Sequence, residues 1–407
     1  MEIVPVPTKP RTAVRRIALG RVLAFGGSQA SWVALMVVVY DRTHSTFWLS
    51  AGLLLTFGAS GVFGPLGGML ADRTDRRLVM VGSDLLTGVA AAGMAVAHAP
   101  ATLLAIAFCA AIAAAPFNSA ASGAVPNLVG SDDLTWANST MAIGRNAGAL
   151  VGPVLGGVLV GAAGGSAVFA LFAVCSLASA GLVASVHGSF SASGEHAAGA
   201  ESRGLRAGFD FVRHDPVLAR MAVAWMVLLF LTGPVLVAEL PLARSFGQGS
   251  TGYGVLAAAW ATGSLVGSFG GRRLSRNGER YAMVCGCLVI GSGFAAVTVA
   301  PVFAAVLGGM LVAGLAEGTL SVAEQNIMQR LTPDAVRSRV NAAIEAAALL
   351  AFAISFGLAG FAISLLGVRG VYASAALGHV LGAAIMLPAM RDRRITAPAA
   401  PFEPAVE

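Results

Sequence analysis

Apolar stretches of about twenty residues follow one another along almost the whole chain, separated by short polar turns rich in arginine. A helix needs roughly 20 such residues to cross about 30 Å of hydrocarbon. Twelve stretches qualify: 17–40, 47–71, 78–99, 101–123, 138–163, 165–187, 217–240, 251–273, 280–300, 301–323, 341–367 and 369–390. Pro100 is the main divider between the third and fourth, and Pro301 between the ninth and tenth. The remaining segments predict the layout. Residues 1–16 and 391–407 read as disordered tails, and residues 17–187 and 217–390 as two six-span halves. Between the halves, 188–216 opens as a Ser/Gly/Ala linker. It continues as a short amphipathic helix with Leu205, Phe209 and Val212 on one face and Arg206, Asp210 and Arg213 on others, ended by Pro216.

The two halves share a signature. Gly64, Gly67, Gly68, Arg73, Arg77, Met80 and Val81 recur 203 positions later as Gly267, Gly270, Gly271, Arg276, Arg280, Met283 and Val284, and Asn138 recurs as Asn341. Repetition over about half of so apolar a chain predicts an all-α membrane protein: twelve transmembrane helices in two bundles related by an internal repeat.

Composition places the chain in a bilayer: 57% of its residues are hydrophobic, 11% are charged and the mean hydropathy is +0.79, against roughly 25% charged in soluble domains. The net charge of +6 would suggest nucleic acid in a soluble protein. Here the basic residues are scattered in loops, with no contiguous basic face, which argues against nucleic acid as a partner. Six groups fall on one side of the predicted topology: Lys9 to Arg21; Arg73 to Arg77; Arg203 to Arg220; Arg272 to Arg280; Arg330 to Arg339; and Arg391 to Arg394. Only Arg42, Arg244 and Arg369 fall on the other, and Arg145 lies within a span. The positive-inside rule then places both termini in the cytoplasm, and the protein is expected, multi-pass, in the cell's inner (plasma) membrane. The first run is too long for a signal-peptide core, so no cleavage is expected. Cys109, Cys175, Cys285 and Cys287 lack metal-type spacing and read as small apolar packers; no metal or other cofactor is expected.

Two motifs carry mechanical chemistry. Gly68, Asp72, Arg73, Arg76 and Arg77 stand where the second span leaves the membrane. The glycines admit a neighbouring helix, and Asp72 can pair with Arg76 four residues on or lie against a helix N-terminus. In the fifth span Gly148, Gly152 and Gly156 line one face, with Pro153 and Gly157 beside them. Gly263, Gly267 and Gly271 repeat that spacing in the eighth span, and the two smooth faces are expected to pack together across the halves.

These residues resemble a known family. Tyr40-Asp41-Arg42-Thr43 followed by the Gly67-to-Arg77 loop resembles the signature between spans two and three of the major facilitator superfamily, and Gly148 to Gly157 resembles its antiporter signature. Pro116-Phe117-Asn118, Leu128-Val129, Asp133-Leu134 and Ala137-Asn138 are similar to the branch that includes macrolide efflux pumps and the enterobactin exporter, as are Leu205, Phe211-Val212-Arg213, Pro333-Asp334, Arg337, Arg339 and Val340. The resemblance implies twelve helices, alternating access and, from the span-five signature, export. Asp75 departs from the broad signature, which usually has glycine there. Ser275 stands opposite Asp72 in the second copy, so only the first copy supplies an anionic lock.

Ionisable residues at mid-depth cost about 2.5 to 3.5 kcal/mol on insertion scales and are functional candidates by default. Glu317 and Glu324 lie two turns apart on one face of the tenth span, about 10 Å in rise, a geometry suited to a stepping proton. Glu324 alternatively sits among cytoplasmic headgroups. Arg145 is expected to pair with a carboxylate or face the central path, Asp84 to neutralise a loop arginine, and Glu345 to pair with Arg73 or Arg76 as a cytoplasmic gate. Asn118, Gln29, Trp32 and Gln325 are polar or aromatic candidates for the path itself, with Ser122, Trp225 and Phe230.

The expected function is secondary transport, with no enzyme activity: a hydrophobic or amphiphilic small molecule exported in exchange for protons, with the proton gradient as the energy source. No nucleotide is expected, because the chain has no Gly-x-x-x-x-Gly-Lys-Ser/Thr loop and its sole lysine is Lys9. A non-transporting receptor would explain the spans but neither the paired signatures nor the mid-depth charges. An uptake permease or lipid flippase of the same fold stays open.

Overall fold

The computed structural model describes residues 9–129, 133–188, 190 and 201–396; the side chains of 60–62, 64–69, 71–73, 126, 135, 201–207, 334–335, 337–338 and 342 fall outside that description. Among the described residues every regular element is helical. In chain order they are α1 (Pro10–Thr43), α2 (Thr46–Arg73), α3 (Arg76–Val96), α4 (Pro100–Leu128), α5 (Leu134–Ala163), α6 (Gly165–Ala184), α7 (Glu201–His214), α8 (Pro216–Ser245), α9 (Ser250–Gly271), α10 (Arg276–Val299), α11 (Phe303–Leu331) and α12 (Asp334–Ala389).

The twelve predicted spans map onto α1–α6, α8–α11 and the two parts of α12. That last helix is broken at Gly367, whose φ of 74° and ψ of 168° suit only a residue without a Cβ. Nine helices among the described residues are long and apolar enough to cross a bilayer, with α12 counted once. Among the described residues of α2, Thr46–Ala59 form a continuous apolar stretch. Glycine, serine and threonine lower the hydropathy of α9, which carries no charge. Pro100 and Gly164 act as punctuation, the first at the start of α4 and the second, at φ 81°, between α5 and α6.

The tails are less disordered than their composition implies. Pro10 occupies the first turn of α1, where its fixed φ favours a helix start, so 10–16 are helical with Ala13 and Val14 buried. At the other end Arg393–Ile395 form a 3-10 turn that buries Ile395. Residues 1–8 and 397–407 lie outside the described residues, as does most of the linker before Glu201. The amphipathic helix exists as α7, and its Val212 packs with Leu218 and Val340.

The chain forms two compact units: Met1–Ala198 with Leu236–Ala258 and Phe356–Val368, and Gly199–Val235 with Ala259–Ser355 and Arg369–Glu407. In the first unit α1 packs on α5 and α6, α3 on α4 and α6, and α2 on α4. In the second α10 packs on α11. Hydrocarbon tails are as apolar as leucine, so close van der Waals packing of small residues holds such helices together. A Cβ on Gly148 would lie 2.8 Å from the Gly26 backbone nitrogen, and one on Gly156 would lie 2.6 Å from the Ala30 carbonyl oxygen. The predicted contact between the faces of Gly152 and Gly267 is therefore corrected. Gly152 faces Gly26 and Gln29 of α1, whereas Gly263 and Gly267 face Leu311 and Leu315 of α11. A spacing of four marks a smooth face without naming its partner. Gly157 does meet the start of α9, where its Cβ would approach Gly254 at 3.1 Å.

Candidate functional site

Glu317 and Glu324 are half-buried on α11, seven residues apart on one face. Cys287 of α10, fully buried, is close enough to feel both carboxylates. Trp225 of α8 stands beside Glu324, and its buried indole Nε1 closes no hydrogen bond. Because α11 runs on to Leu331, Glu324 lies two turns inside the helix. Gln325, its neighbour, is exposed. The arrangement suits proton exchange: two acids on one rigid rod, without a basic partner among the described residues.

The loop motif is described only in part, since the side chains of Gly68, Asp72 and Arg73 fall outside the described residues. Arg76 Nη1 donates to the Gly123 carbonyl at 2.8 Å, Arg77 donates to the Ala184 carbonyl, and Asp75 caps α3 by accepting from the Arg77 backbone N–H at 2.8 Å. Glu345 is exposed. Of the repeat partners of this motif, Gly271 packs on Thr319 and Val322 of α11.

In the first unit the charges differ from expectation. Arg21, grouped by sequence with the cytoplasmic arginines, projects from within α1. It donates to Asn118 of α4 and lies over the rings of Phe117 (4.8 Å) and Phe25 (5.3 Å). Asp84 neutralises no loop arginine. It is 5% exposed on α3, beside Ser179 of α6 and within the field of Arg21, and its Oδ2 makes no hydrogen bond. Arg145 is exposed on α5 and forms no ion pair among the described residues. Gln29 lines the α1–α5 seam, and Trp32 packs against Tyr253 with ring centroids 5.8 Å apart. Of the cysteines, Cys287 packs in the core and Cys175 is half-buried, whereas Cys109 and Cys285 are exposed.

Three further charged features escaped sequence reasoning. Glu279, in the first turn of α10, is buried and accepts hydrogen bonds from Asn326 and Arg330 of α11. Asp41, at the end of α1, pairs with Arg244 of α8, whose guanidinium also lies 5.0 Å from the centre of the Tyr40 ring. Those two positions are 203 residues apart, the offset of the repeat. Glu239 is buried as the only acid of α8, and a lone carboxylate in a 30-residue apolar helix was a legible signal.

Comparison with known proteins follows the same outline. The sequence profile described as Major Facilitator Superfamily matches residues 17–241 and again 231–406. The enterobactin exporter EntS of Escherichia coli O1:K1 / APEC is 26% identical over 357 residues, covering 82% of this chain and 81% of that protein. The enterobactin exporter EntS of Salmonella paratyphi A is 29% identical over 161 residues, so this chain spans only 39% of its length in that match. Among solved structures, a POT family transporter in complex with a thioalcohol conjugated peptide superposes with a TM-score of 0.74 at 12% identity, over 95% of this chain and 99% of that one. At that identity the likeness concerns the fold alone.

Proposed function

We propose that this chain, which belongs to the major facilitator superfamily and is a membrane transporter, exports an amphiphilic small molecule in exchange for protons. The observation that carries the reading is the pair Glu317 and Glu324 on one face of α11, with Cys287 and Trp225 beside it. Charge at that depth is costly and is kept where it does work. The names of the enterobactin exporters favour export over the uptake and flippase alternatives. Both termini lie in the cytoplasm, and the proton gradient supplies the energy.

In this reading a proton entering from outside neutralises Glu317 or Glu324, and its release inside resets the transporter. Gly68, Asp72, Arg73, Arg76, Arg77 and Glu345 form the cytoplasmic gate. The glycines of α5, with Pro153, let that helix move against its neighbours. The test uses everted vesicles carrying an imposed pH gradient, with a panel of amphiphilic cations, neutrals and anions added in turn. An exported compound dissipates the gradient in the wild type. Glu317→Gln and Glu324→Gln should abolish that dissipation and sharply slow accumulation of the compound in the vesicle lumen. Undiminished, gradient-dependent accumulation in vesicles of both variants would remove proton coupling from these residues.

A further inference from the structure

Two arginines of the first unit are brought together on neighbouring helices. Arg21 on α1 and Arg145 on α5 lie at one depth. A Cβ on Gly144 would meet the Ala18 carbonyl oxygen at 2.7 Å, and one on Gly148 would meet the Val22 carbonyl oxygen at 3.2 Å. The α5 turn bearing Arg145 therefore lies alongside the α1 turn bearing Arg21, and the charge of Arg145 is felt at Arg21. Neither makes an ion pair among the described residues. Arg21 is held by neutral groups alone, the Asn118 amide oxygen and two aromatic faces. The acid whose charge reaches it, Asp84, is buried against α6 beside Ser179. Arg145 sits about 10 Å into the predicted fifth span, counted at the helical rise from residue 138, where an uncompensated guanidinium is unfavourable.

We propose that Arg21, Arg145 and Asn118 form a loading site for the anionic head of an amphiphilic solute: a carboxylate, sulfonate or phosphate on an apolar body. A guanidinium presents paired N–H donors that match an oxyanion. Asn118 accepts from Arg21 through Oδ1, which leaves its Nδ2 donors for the same ligand. The half-buried ring of Phe25, next to Arg21, offers apolar surface. Asp84 neutralises one of the two cations, and a monoanionic head neutralises the other. The proposal rests on the export reading and narrows its substrate class to amphiphilic anions.

The same oxyanion chemistry belongs to lipid headgroups, so the test separates solute from lipid. Full-length protein in phosphatidylcholine nanodiscs is titrated with 8-anilinonaphthalene-1-sulfonate and, separately, with N-phenyl-1-naphthylamine, which has the same rings and no sulfonate; empty discs supply the background. The double variant Arg21→Gln/Arg145→Gln should weaken the sulfonate at least about tenfold and leave the uncharged amine unchanged. Arg21→Lys/Arg145→Lys, which keeps both charges, should restore most of the sulfonate affinity. Identical sulfonate titrations in wild type and Gln variant would overturn the site, as would equal losses for both probes that the Lys variant does not restore. Loss of sulfonate binding when phosphatidylglycerol is added to the wild-type discs would assign the guanidiniums to lipid and overturn the solute. The titration involves neither turnover nor a pH gradient, so its failure leaves proton coupling standing, and failed coupling leaves the site standing.

Discussion

Arg76 opens α3, and the residue that the repeat equates with it, Glu279, lies in the first turn of α10; each fastens its helix to the end of the next one, with opposite chemistry. In the first half the fastener on α3 is Arg76, which donates to the Gly123 carbonyl of α4; Asn127 donates to that carbonyl as well, at 3.0 Å. In the second half the equated position on α10 is Glu279, which accepts from Asn326 at 2.6 Å and from Arg330. Those partners occupy the positions equated with Gly123 and Asn127. The duplication has thus preserved where the helices touch while exchanging a cation on a backbone carbonyl for a buried ion pair. Gly123 makes the first version possible: a Cβ there would lie 2.7 Å from the Arg76 Cζ.

The two fasteners should differ in cost when broken. The Glu279 and Arg330 side chains are 6% and 18% exposed, so removing the acid strands a cation with little water. Glu279→Ala should destabilise the protein by about 3–5 kcal/mol, read as a fall in the unfolding temperature of detergent-solubilised protein. Adding Arg330→Met should recover more than half of that loss, since it removes the stranded charge. A harmless Glu279→Ala would mean that the pair holds nothing.

In the first half Arg76→Gln removes a charged donor from a carbonyl that Asn127 still satisfies. The expected cost is smaller, about 1.5–3 kcal/mol, in the same thermal measurement. If Arg76→Gln proved costlier than Glu279→Ala, the ion pair would not be the stronger fastener and the comparison would reverse.

Much of this was legible in the sequence because the bilayer writes in long apolar runs: the twelve spans, the repeat and the amphipathic α7 were all readable from spacing. Glu317 and Glu324 stood out for the same reason, as charges where hydrocarbon forbids them. Arg21 was misread because a rule that counts basic residues near span ends cannot tell an arginine at the surface from one turned inward against Phe117. Glu279 was passed over because the repeat was traced through identical residues, and here the equated residues are an arginine and a glutamate. The glycine faces were visible but their partners were not, since a smooth face fits any helix that tertiary packing brings to it.

A third charge cluster calibrates the two fasteners from the solvent side. Arg394, half exposed after α12, bonds Asp392 at 2.9 Å and Asp215 at 2.7 Å. Hydrogen bonds from the Arg394 side chain and backbone hold the Asp392 carboxyl below the usual carboxylate range. Because the Arg394 side chain is itself 50% exposed, Arg394→Gln should cost less than Glu279→Ala, on the order of 1 kcal/mol at neutral pH. Its acid dependence has a definite sign. A carboxyl whose folded-state pKa is depressed adds stability above its unfolded value, about 4, and loses that contribution as pH falls through the folded value. The gap between wild type and Arg394→Gln should therefore narrow below about pH 4, and narrow also in molar salt, while the Glu279→Ala gap persists in salt because that pair is sheltered from it. Thermal unfolding of the three proteins across pH and salt checks this. A gap for Arg394→Gln that widened in acid would show the cluster stabilised by something other than the ionised Asp392.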